Sequence, residues 1–554
     1  MTRGRLGLPN ECVKEGGATL STSYDLTVER WVPVIRGDGR PGLASLEEAM
    51  LDAHVIAGLD HSDPLVAVAL YRLLVALARD VADEGNAALV DQREWERALG
   101  AGRFDEEVAR RYFVKWRDRF DLFGEHPFYQ VAGLEAVSGE VKSVSLLLPA
   151  SATGNNVPLF AAMLDSALPG LRPEEAARRV VACHAWDTAA IKTGAKGDPR
   201  VSAGKTTGNP TGPLGSLGAV IPLGRTLFET ILLSWMVGPQ GTEDLPAWRR
   251  DHTAIWSERL PSGPKDLLTW QSRRIKLIPS WDAAGQLHAD AVIVAAGDRL
   301  PFSPPELEPH TLWRASGAAK AGVAVRPVRH QPGKSSWRGL GGILAGRLPN
   351  PETGISTSGA LVQLAATEAL PYAYPLNLLL VGVVYGNQSA VIETVIVDEL
   401  PMPVQALHED DQLRGDLETL ATNAEACIYA LNDLDANLRR SMGGDPTPWD
   451  KGQRPGDRLA MALDDAARRV LRGIQREPER ADEGLLAWEH FVLARAWEIA
   501  NPLLDACSDT AFLGRPDPRH RDRFLRQSTA EAFFRRSLRL ALVRAHPQET
   551  KESQ

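Results

Sequence analysis

Two short segments carry the Gly-Lys-Ser/Thr ending of a phosphate-binding P-loop. They are Gly204-Lys205-Thr206 and Gly333-Lys334-Ser335. A P-loop also needs a second glycine at a fixed distance upstream, because its backbone must curl around the phosphates. Pro199 and Val328 occupy those upstream positions, so neither segment is predicted to bind a nucleotide.

No other grouping of side chains indicates a catalytic centre. The chain has no His-Glu-x-x-His motif, no Gly-x-Ser-x-Gly motif and no closely spaced His, Cys and Asp set. The four cysteines lie too far apart for a metal knuckle or a dense disulfide framework; they are Cys12, Cys183, Cys427 and Cys507. We therefore predict no catalytic residue, no bound metal and no cofactor, in a reducing intracellular setting.

A glycine-rich loop at residues 191–208 is basic. Its four glycines accompany one acid, Asp198, and the cations Lys192, Lys196, Arg200 and Lys205. Glycine lets bare backbone approach a surface, and cations offset phosphate charge. The composition favours contact with a nucleic acid about as strongly as a mobile basic surface loop, so both interpretations stay open.

A polar turn, Tyr385-Gly386-Asn387-Gln388-Ser389, follows an apolar run. Asn and Gln amides can read base edges, and a turn that projects both could enter a groove. On turn chemistry alone an ordinary surface turn is the better interpretation.

Basic charge is segregated along a chain whose net charge is −9. Residues 309–351 hold seven bases and no acid, and residues 511–554 hold ten bases and five acids. In the first segment we predict a track for displaced or incoming DNA, formed by Arg326, Arg329, Lys334 and Arg338. A solvated basic surface is an equally good interpretation of that charge.

The elements that would position these residues form two parts. A chain of 554 residues is too long for one compact core. No stretch is apolar enough for a membrane span, and residues 1–23 lack a signal-peptide pattern, so the prediction is a cytoplasmic protein without membrane contact. We predict an α+β fold with a flexible tail at 1–22, a large mixed N-terminal domain at 23–403 and a C-terminal four-helix bundle at 404–554.

Local patterns give the expected elements. Alternation predicts a strand over 24–28, and Pro33 predicts an edge strand or a turn over 31–35. A capping box at Ser45 predicts a helix over 46–59, and Asp63-Pro64 starts another that reaches Val81. The bundle helices are predicted near 405–442, 457–475, 484–506 and 521–545.

Several segments resemble, in order, those of CasA, the large subunit of the type I-E CRISPR surveillance complex Cascade. The resemblance is carried by YDLTVERWVPV, SLEEAMLDAHVIAGL, DPLVAVALYRLLVAL, GEHPFYQ, LLPASATGNNVPLF, GAKG, GDRL, EPHTLWR and YGNQSA. It runs from about residue 24 to the end and is most specific in the N-terminal part. Over the C-terminal bundle it rests on architecture.

The resemblance implies roles for individual residues. Gly194, Ala195, Lys196 and Gly197, here called the glycine loop, are similar to a loop that approaches the protospacer-adjacent motif (PAM) from the minor groove. Asn387, Gln388 and Ser389 resemble a wedge inserted beneath the PAM. Arg299 stands where relatives place a basic loop, and Asn155, Asn156 and Phe160 resemble a loop that docks on the guide RNA handle and neighbouring subunits.

The implied function is non-catalytic. A CasA-like subunit recognises the PAM in double-stranded DNA, helps open the duplex for guide RNA pairing and helps recruit a helicase-nuclease. The implied partners are guide RNA, target DNA, other Cascade subunits and that effector. Two alternatives stay open: a structural scaffold that reads no DNA, and a cryptic nucleic-acid enzyme.

Overall fold

The computed structural model describes residues 22–149, 151–152, 163–164, 170–238, 241–316, 324–350, 353–408, 412–448, 453–517 and 524–546. The predicted tail therefore lies almost wholly outside the described residues, as do Asn155, Asn156 and Phe160. The helices are α1 Leu46–Leu51, α2 Pro64–Glu84, α3 Gln92–Ala101, α4 Glu106–Trp116, α5 Pro173–Trp186, α6 Leu227–Leu233, α7 Pro264–Leu268, α8 Leu340–Ile343, α9 Gly359–Ala365, α10 Gln412–Met442, α11 Pro455–Arg476, α12 Ala481–Asp505, α13 Asp509–Leu513 and α14 Gln527–Ala541.

The strands are short except for two hairpins in the middle of the chain. They are β1 Val32–Arg36, β2 Pro41–Ala44, β3 Ile56–Leu59, β4 Lys142–Ser143, β5 Ser151–Ala152, β6 Met163–Leu164, β7 Lys192–Thr193, β8 Lys205–Thr206, β9 Ala219–Leu223, β10 Arg273–Trp281, β11 Leu287–Ala296, β12 Trp313–Ala315, β13 Val325–Pro327, β14 Ile355–Ser356, β15 Asn377–Tyr385, β16 Ile392–Pro401, β17 Arg515–Pro516 and β18 Phe524–Leu525. Helices and sheets are interleaved before residue 404, so the predicted α+β class is confirmed.

The first sheet corrects two predictions. The predicted strand over 24–28 is a turn, in which the amides of Val28 and Glu29 donate to the Asp25 carbonyl. β1 is central, in the order β2-β1-β3, although Pro33 had suggested an edge strand or a turn. Proline is tolerated because the ladder with β3 begins at Val34, and on that side Pro33 needs only its carbonyl, which accepts the Asp60 amide just beyond β3 at 3.1 Å.

The helix starts follow their capping signals. Ser45 and Glu48 form the predicted capping box, and Asp63 caps α2, which runs slightly beyond its predicted end. The helix predicted over 46–59 ends at Leu51, because Ile56–Leu59 pairs with β1 as a strand.

Two hairpins position the site. β10 and β11 pair along their length, and the end of β7 is joined to this sheet through a parallel pairing of Thr193 with Ala295. β15 is the central strand of the order β16-β15-β9, and it is buried along most of its length. Its pairing with β16 shifts register at Tyr385, next to the turn.

The C-terminal part is a bundle of four long helices, as predicted. α10 packs against α11, α12 and α14, and Trp497 meets Phe534 edge-on at 5.1 Å between α12 and α14. The bundle is fastened to the rest of the molecule through Trp337, which is fully buried, contacts Trp488 at 5.6 Å and donates to Asp464 at 3.0 Å. Buried apolar side chains on both sides of residue 404 form one contiguous core, and the division into domains at that point stays a prediction.

Candidate nucleic-acid interface

The glycine loop is a tight turn that follows β7. The Gly194 amide donates to the Gly204 carbonyl at 2.9 Å, and the Lys196 amide donates to the Glu135 carbonyl at 2.8 Å. A Cβ on Gly194 would lie 2.8 Å from the backbone of Gly204, so only glycine fits there without a shift. Gly197 has φ +88° and open space around it, which gives the loop an exposed, left-handed end.

Charge on the glycine loop is partly offset. Lys196 is exposed, and its ammonium lies 2.8 Å from the Glu135 carboxylate, which is also exposed. This ion pair raises the pKa of Lys196 and lowers that of Glu135. Because both partners face solvent, an approaching phosphate can replace the carboxylate.

The wedge lies at the tip of the β15–β16 hairpin. Asn387 and Gln388 are exposed, and Gln388 and Ser389 have φ +53° and +54°. Two consecutive non-glycine residues in the left-handed region are unusual, and each costs about 1–2 kcal/mol. Tyr385 anchors the base of the turn, because its hydroxyl donates to the Trp186 carbonyl at 2.6 Å.

The structure joins the wedge to the chain that leads into the glycine loop. The Ala189 amide donates to the Ser389 carbonyl at 2.8 Å. Five peptide steps separate Ala189 from Gly194, a span of at most about 18 Å when fully extended. The glycine loop therefore begins within about 18 Å of the point where the wedge is bonded to this segment.

A buried ion cluster fixes this connecting segment, residues 187–193. Asp187 accepts from the Lys192 ammonium at 2.7 Å and from the Arg273 guanidinium, and both cations are buried. Burial opposes ionisation of Asp187, but the two cations outweigh it and lower the pKa of its carboxyl to about 2. Lys192, counted in the sequence among cations facing phosphate, is instead committed to Asp187.

The sequence pattern gave no sign of this cluster. Asp187, Lys192 and Arg273 come from two distant segments, and each has the polarity typical of an exposed residue. The glycine-rich sequence around Lys192 predicts an exposed loop. The pairing of β7 with β11 instead places Lys192 in the interior.

Arg299 lies close to the glycine loop, on the turn that follows β11. Its guanidinium stacks on the Trp256 ring at 4.0 Å, and Nη2 donates to the Thr207 carbonyl at 3.2 Å. Burial lowers the pKa of Arg299, but arginine remains protonated in proteins. The predicted basic position thus borders the same surface as the glycine loop.

The four residues of the predicted DNA track separate into two groups. Arg326, Arg329 and Lys334 are exposed, and Arg329 donates to the Ser216 carbonyl at 3.3 Å. Arg338 differs, because its guanidinium makes paired hydrogen bonds with Glu425 on α10, at 2.6 and 3.0 Å. Arg338 therefore fastens the bundle in place.

The described residues form neither a metal-binding cluster nor a membrane-spanning helix. No group of three or more His, Cys, Asp or Glu side chains is arranged to hold a metal ion in the described part of the chain. Among the helices that the structure describes, none combines the length and apolar character of a membrane span.

Comparison with known proteins identifies the family. The profile described as "CRISPR-associated protein Cse1" matches residues 25–499. The chain belongs to the Cse1 family. A "CRISPR-associated protein CasA/Cse1" from Thermus thermophilus is 30% identical over 266 residues, which cover 47% of this chain and 50% of that protein. That match spans about half the length of this relative.

Solved Cse1 structures share the fold over most of the chain. Thermobifida fusca Cse1 is 30% identical with a TM-score of 0.80, and the match covers 94% of this chain and 99% of that one. A chain in a structure described as "CRISPR RNA-guided surveillance complex" is 19% identical with a TM-score of 0.63, covering 87% and 98% respectively. The second likeness supports the fold alone. The resemblance to CasA drawn from the motifs is confirmed.

Proposed function

We propose that this Cse1 chain is the non-catalytic large subunit of an RNA-guided DNA surveillance complex in the cytoplasm. It recognises a PAM in double-stranded DNA, helps open the duplex and helps recruit a helicase-nuclease. Its partners are guide RNA, target DNA and the other Cascade subunits. Family membership supports the assembly, since a related fold occurs in a CRISPR RNA-guided surveillance complex.

The glycine loop is suited to approach a minor groove. Gly197 is exposed and carries no side chain, so its backbone can reach the groove, and the exposed Lys196 supplies a cation to a phosphate or a base edge. Gly194 and Ala195 are buried and hold the turn in place. Arg299 supplies a second cation at the border of this surface. PAM contacts of this kind provide modest binding energy, while guide pairing carries the sequence specificity.

The wedge is suited to separate bases beside the PAM. Its exposed Asn387 and Gln388 amides can replace hydrogen bonds of an opened base pair, which offsets part of the few kcal/mol that unstacking costs. The hydrogen bond between Ala189 and Ser389 is the observation that carries the proposal, because it keeps the wedge beside the loop that would hold the PAM.

The other predicted contacts are assigned from exposed charge or from the resemblance to CasA. Arg326, Arg329 and Lys334 form an exposed basic surface for a separated strand. We leave Arg338 out of this track because Glu425 neutralises it. Asn155, Asn156 and Phe160 are assigned to docking on the guide handle, and the C-terminal bundle to contacts with other subunits and the effector.

The test uses the assembled complex with Gln388→Ala. We expect duplex targets with a PAM to bind about 10-fold more weakly or worse, while the same target pre-opened as a bubble binds as well as with wild type. Gln286→Ala is the matched control, since Gln286 is an exposed glutamine at the turn of the β10–β11 hairpin. If Gln388→Ala binds both targets like wild type, the wedge assignment is wrong, and a structural scaffold that reads no DNA becomes the better interpretation.

A further inference from the structure

Trp256 contacts two arginines that come from different parts of the chain. The guanidinium carbon of Arg200 lies 4.2 Å from the centre of its ring, and that of Arg299 lies 4.0 Å from it. Arg200 follows the glycine loop, and Arg299 follows β11. The two guanidinium carbons are thus no farther apart than the sum of those distances, which is close enough to act on one strand of DNA.

Hydrogen bonds fix the indole between the two segments. Trp256 is buried, and its Nε1–H donates to Asp198 at 3.0 Å. The Asp198 carboxylate also accepts the Arg200 amide at 3.1 Å, and the Arg200 guanidinium donates to the Trp256 carbonyl at 2.9 Å. On the other side, the Arg299 amide donates to the Ser257 carbonyl at 2.9 Å.

Arg299 has no direct ion pair among the described residues. Asp198 lies 3.7 Å from the Arg200 guanidinium, and it is the carboxylate shared by this cluster. Asp298 and Asp266 are taken by Arg259 and Arg274. Glu258 pairs with Arg299 through the backbone and acts on it electrostatically, but its carboxylate forms no ion pair with that guanidinium in the described part of the chain. The Arg299 guanidinium is therefore available to a phosphate beside the glycine loop.

We propose that Trp256 is a positioning residue that holds Arg200 and Arg299 together as a phosphate clamp on the DNA backbone beside the PAM. The inference rests on the proposed function and deepens it. Stacking on an aromatic face orients a guanidinium without using its five N–H donors. Arg200 donates to one carbonyl and Arg299 to another, so each retains donors for a phosphate oxygen.

A phosphate clamp contributes equally to duplexes with and without a PAM. It also makes affinity dependent on salt, because each neutralised phosphate releases about one counterion. The readout is therefore the slope of log affinity against log salt for the assembled complex, measured on both duplexes. A purely structural role for Trp256 would lower affinity without changing that slope.

Five variants test the clamp. Arg200→Gln and Arg299→Gln should each reduce the magnitude of the salt slope by about 1. Trp256→Leu should reduce it by about 1–2, whereas Trp256→Phe, which keeps an aromatic face, should stay near wild type. Trp270→Leu is the matched control. The Arg259 guanidinium stacks on the Trp270 ring at 4.1 Å, but Asp266 and Asp298 already neutralise this arginine. The salt slope of Trp270→Leu should therefore equal that of wild type.

Coupling between the variants decides the role of the ring. With both arginines replaced by glutamine, adding Trp256→Leu should change neither slope nor affinity by more than about 2-fold. An unchanged slope in the double glutamine variant would overturn the clamp. An unchanged slope in Trp256→Leu, with reduced slopes in the arginine variants, would overturn the positioning role.

A failure of the proposed function can be told apart from a failure of the clamp. If the proposed function is wrong, the wild-type complex itself would bind duplexes with and without a PAM equally. If wild type prefers the PAM while every variant keeps the wild-type slope, the clamp alone is wrong.

Discussion

The glycine loop is bonded to the surrounding fold on both sides, whereas the wedge projects from a hairpin tip and is tethered through the Ser389 carbonyl. The glycine loop places a residue without a side chain where φ is positive, at Gly197. The wedge places Gln388 and Ser389 in the same backbone region, where a side chain is strained.

This difference matches the two proposed tasks. A loop that contacts a DNA groove binds more tightly when its backbone is preorganised and carries no bulky side chain, because little conformational entropy is lost when DNA binds. A wedge must present side chains at its tip, so glycine would remove the groups that act. The strained backbone at Gln388 and Ser389 keeps the side-chain amides of Asn387 and Gln388 exposed at the tip.

Asp187→Asn should break the connection between both regions and have the largest effect. The substitution leaves Lys192 and Arg273 buried without their anion, so we expect a loss of about 3 kcal/mol or more in the free energy of unfolding. The measurement is chemical denaturation of the isolated chain. Asp465→Asn serves as a control, because its pair with Arg469 is exposed. A loss below about 1 kcal/mol would mean that the cluster does not fix the segment.

Acid should weaken the same connection in wild type. The pKa of Asp187 is about 2 in the folded chain and about 3.9 when unfolded. The unfolded state therefore binds the proton first, and the stability from this carboxylate is present above about pH 4 and lost as the pH falls towards 2, about 2–3 kcal/mol in all.

The check is denaturation of wild type and Asp187→Asn at several pH values between 5 and about 2. The difference in stability between the two proteins should shrink as the pH falls. A constant difference across that range would contradict the assigned role of the carboxylate.

Much of this architecture could be predicted from the sequence, because its signals are local. Ser45 and Asp63 mark helix starts, and the four bundle helices follow apolar periodicity. The turn over 24–28 was missed because Asp25 binds nearby backbone amides, which outweighs the alternating pattern.

The site was only partly predictable, because it depends on contacts between residues that are distant in the sequence. The glycine loop and the wedge have local signatures, but their proximity depends on a hydrogen bond between residues 189 and 389. The stacking of Arg200 and Arg299 on Trp256 joins three separate segments in the same way. Neither spacing nor composition encodes such contacts.

Gly194→Ala should sharpen the comparison on the glycine-loop side. A Cβ there would lie 2.5 Å from Val201 and 2.8 Å from the Gly204 backbone, so the loop must move, at a cost of about 1–3 kcal/mol. Gly197→Asn is the matched control, because a Cβ at Gly197 meets open space and Asn tolerates a positive φ. Thermal unfolding should show a larger loss of stability at Gly194. Binding of PAM duplexes by the complex should fall in both variants, because Gly197 is itself a proposed groove contact. Equal losses of thermal stability would indicate that close packing does not shape this loop.

Gln388→Gly should separate the stability of the wedge from its DNA binding, and we expect it to change the free energy of unfolding less than the substitutions above. Glycine relieves the strain at φ +53°, which favours the folded state by about 1 kcal/mol against Gln388→Ala. Both variants lack the amide, so both should bind duplex targets equally weakly and bubble targets like wild type. Thermal unfolding compared with binding of the two targets measures this. Should Gln388→Gly bind duplexes better than Gln388→Ala, the backbone conformation of the turn, and not its amide, would be the feature that opens DNA.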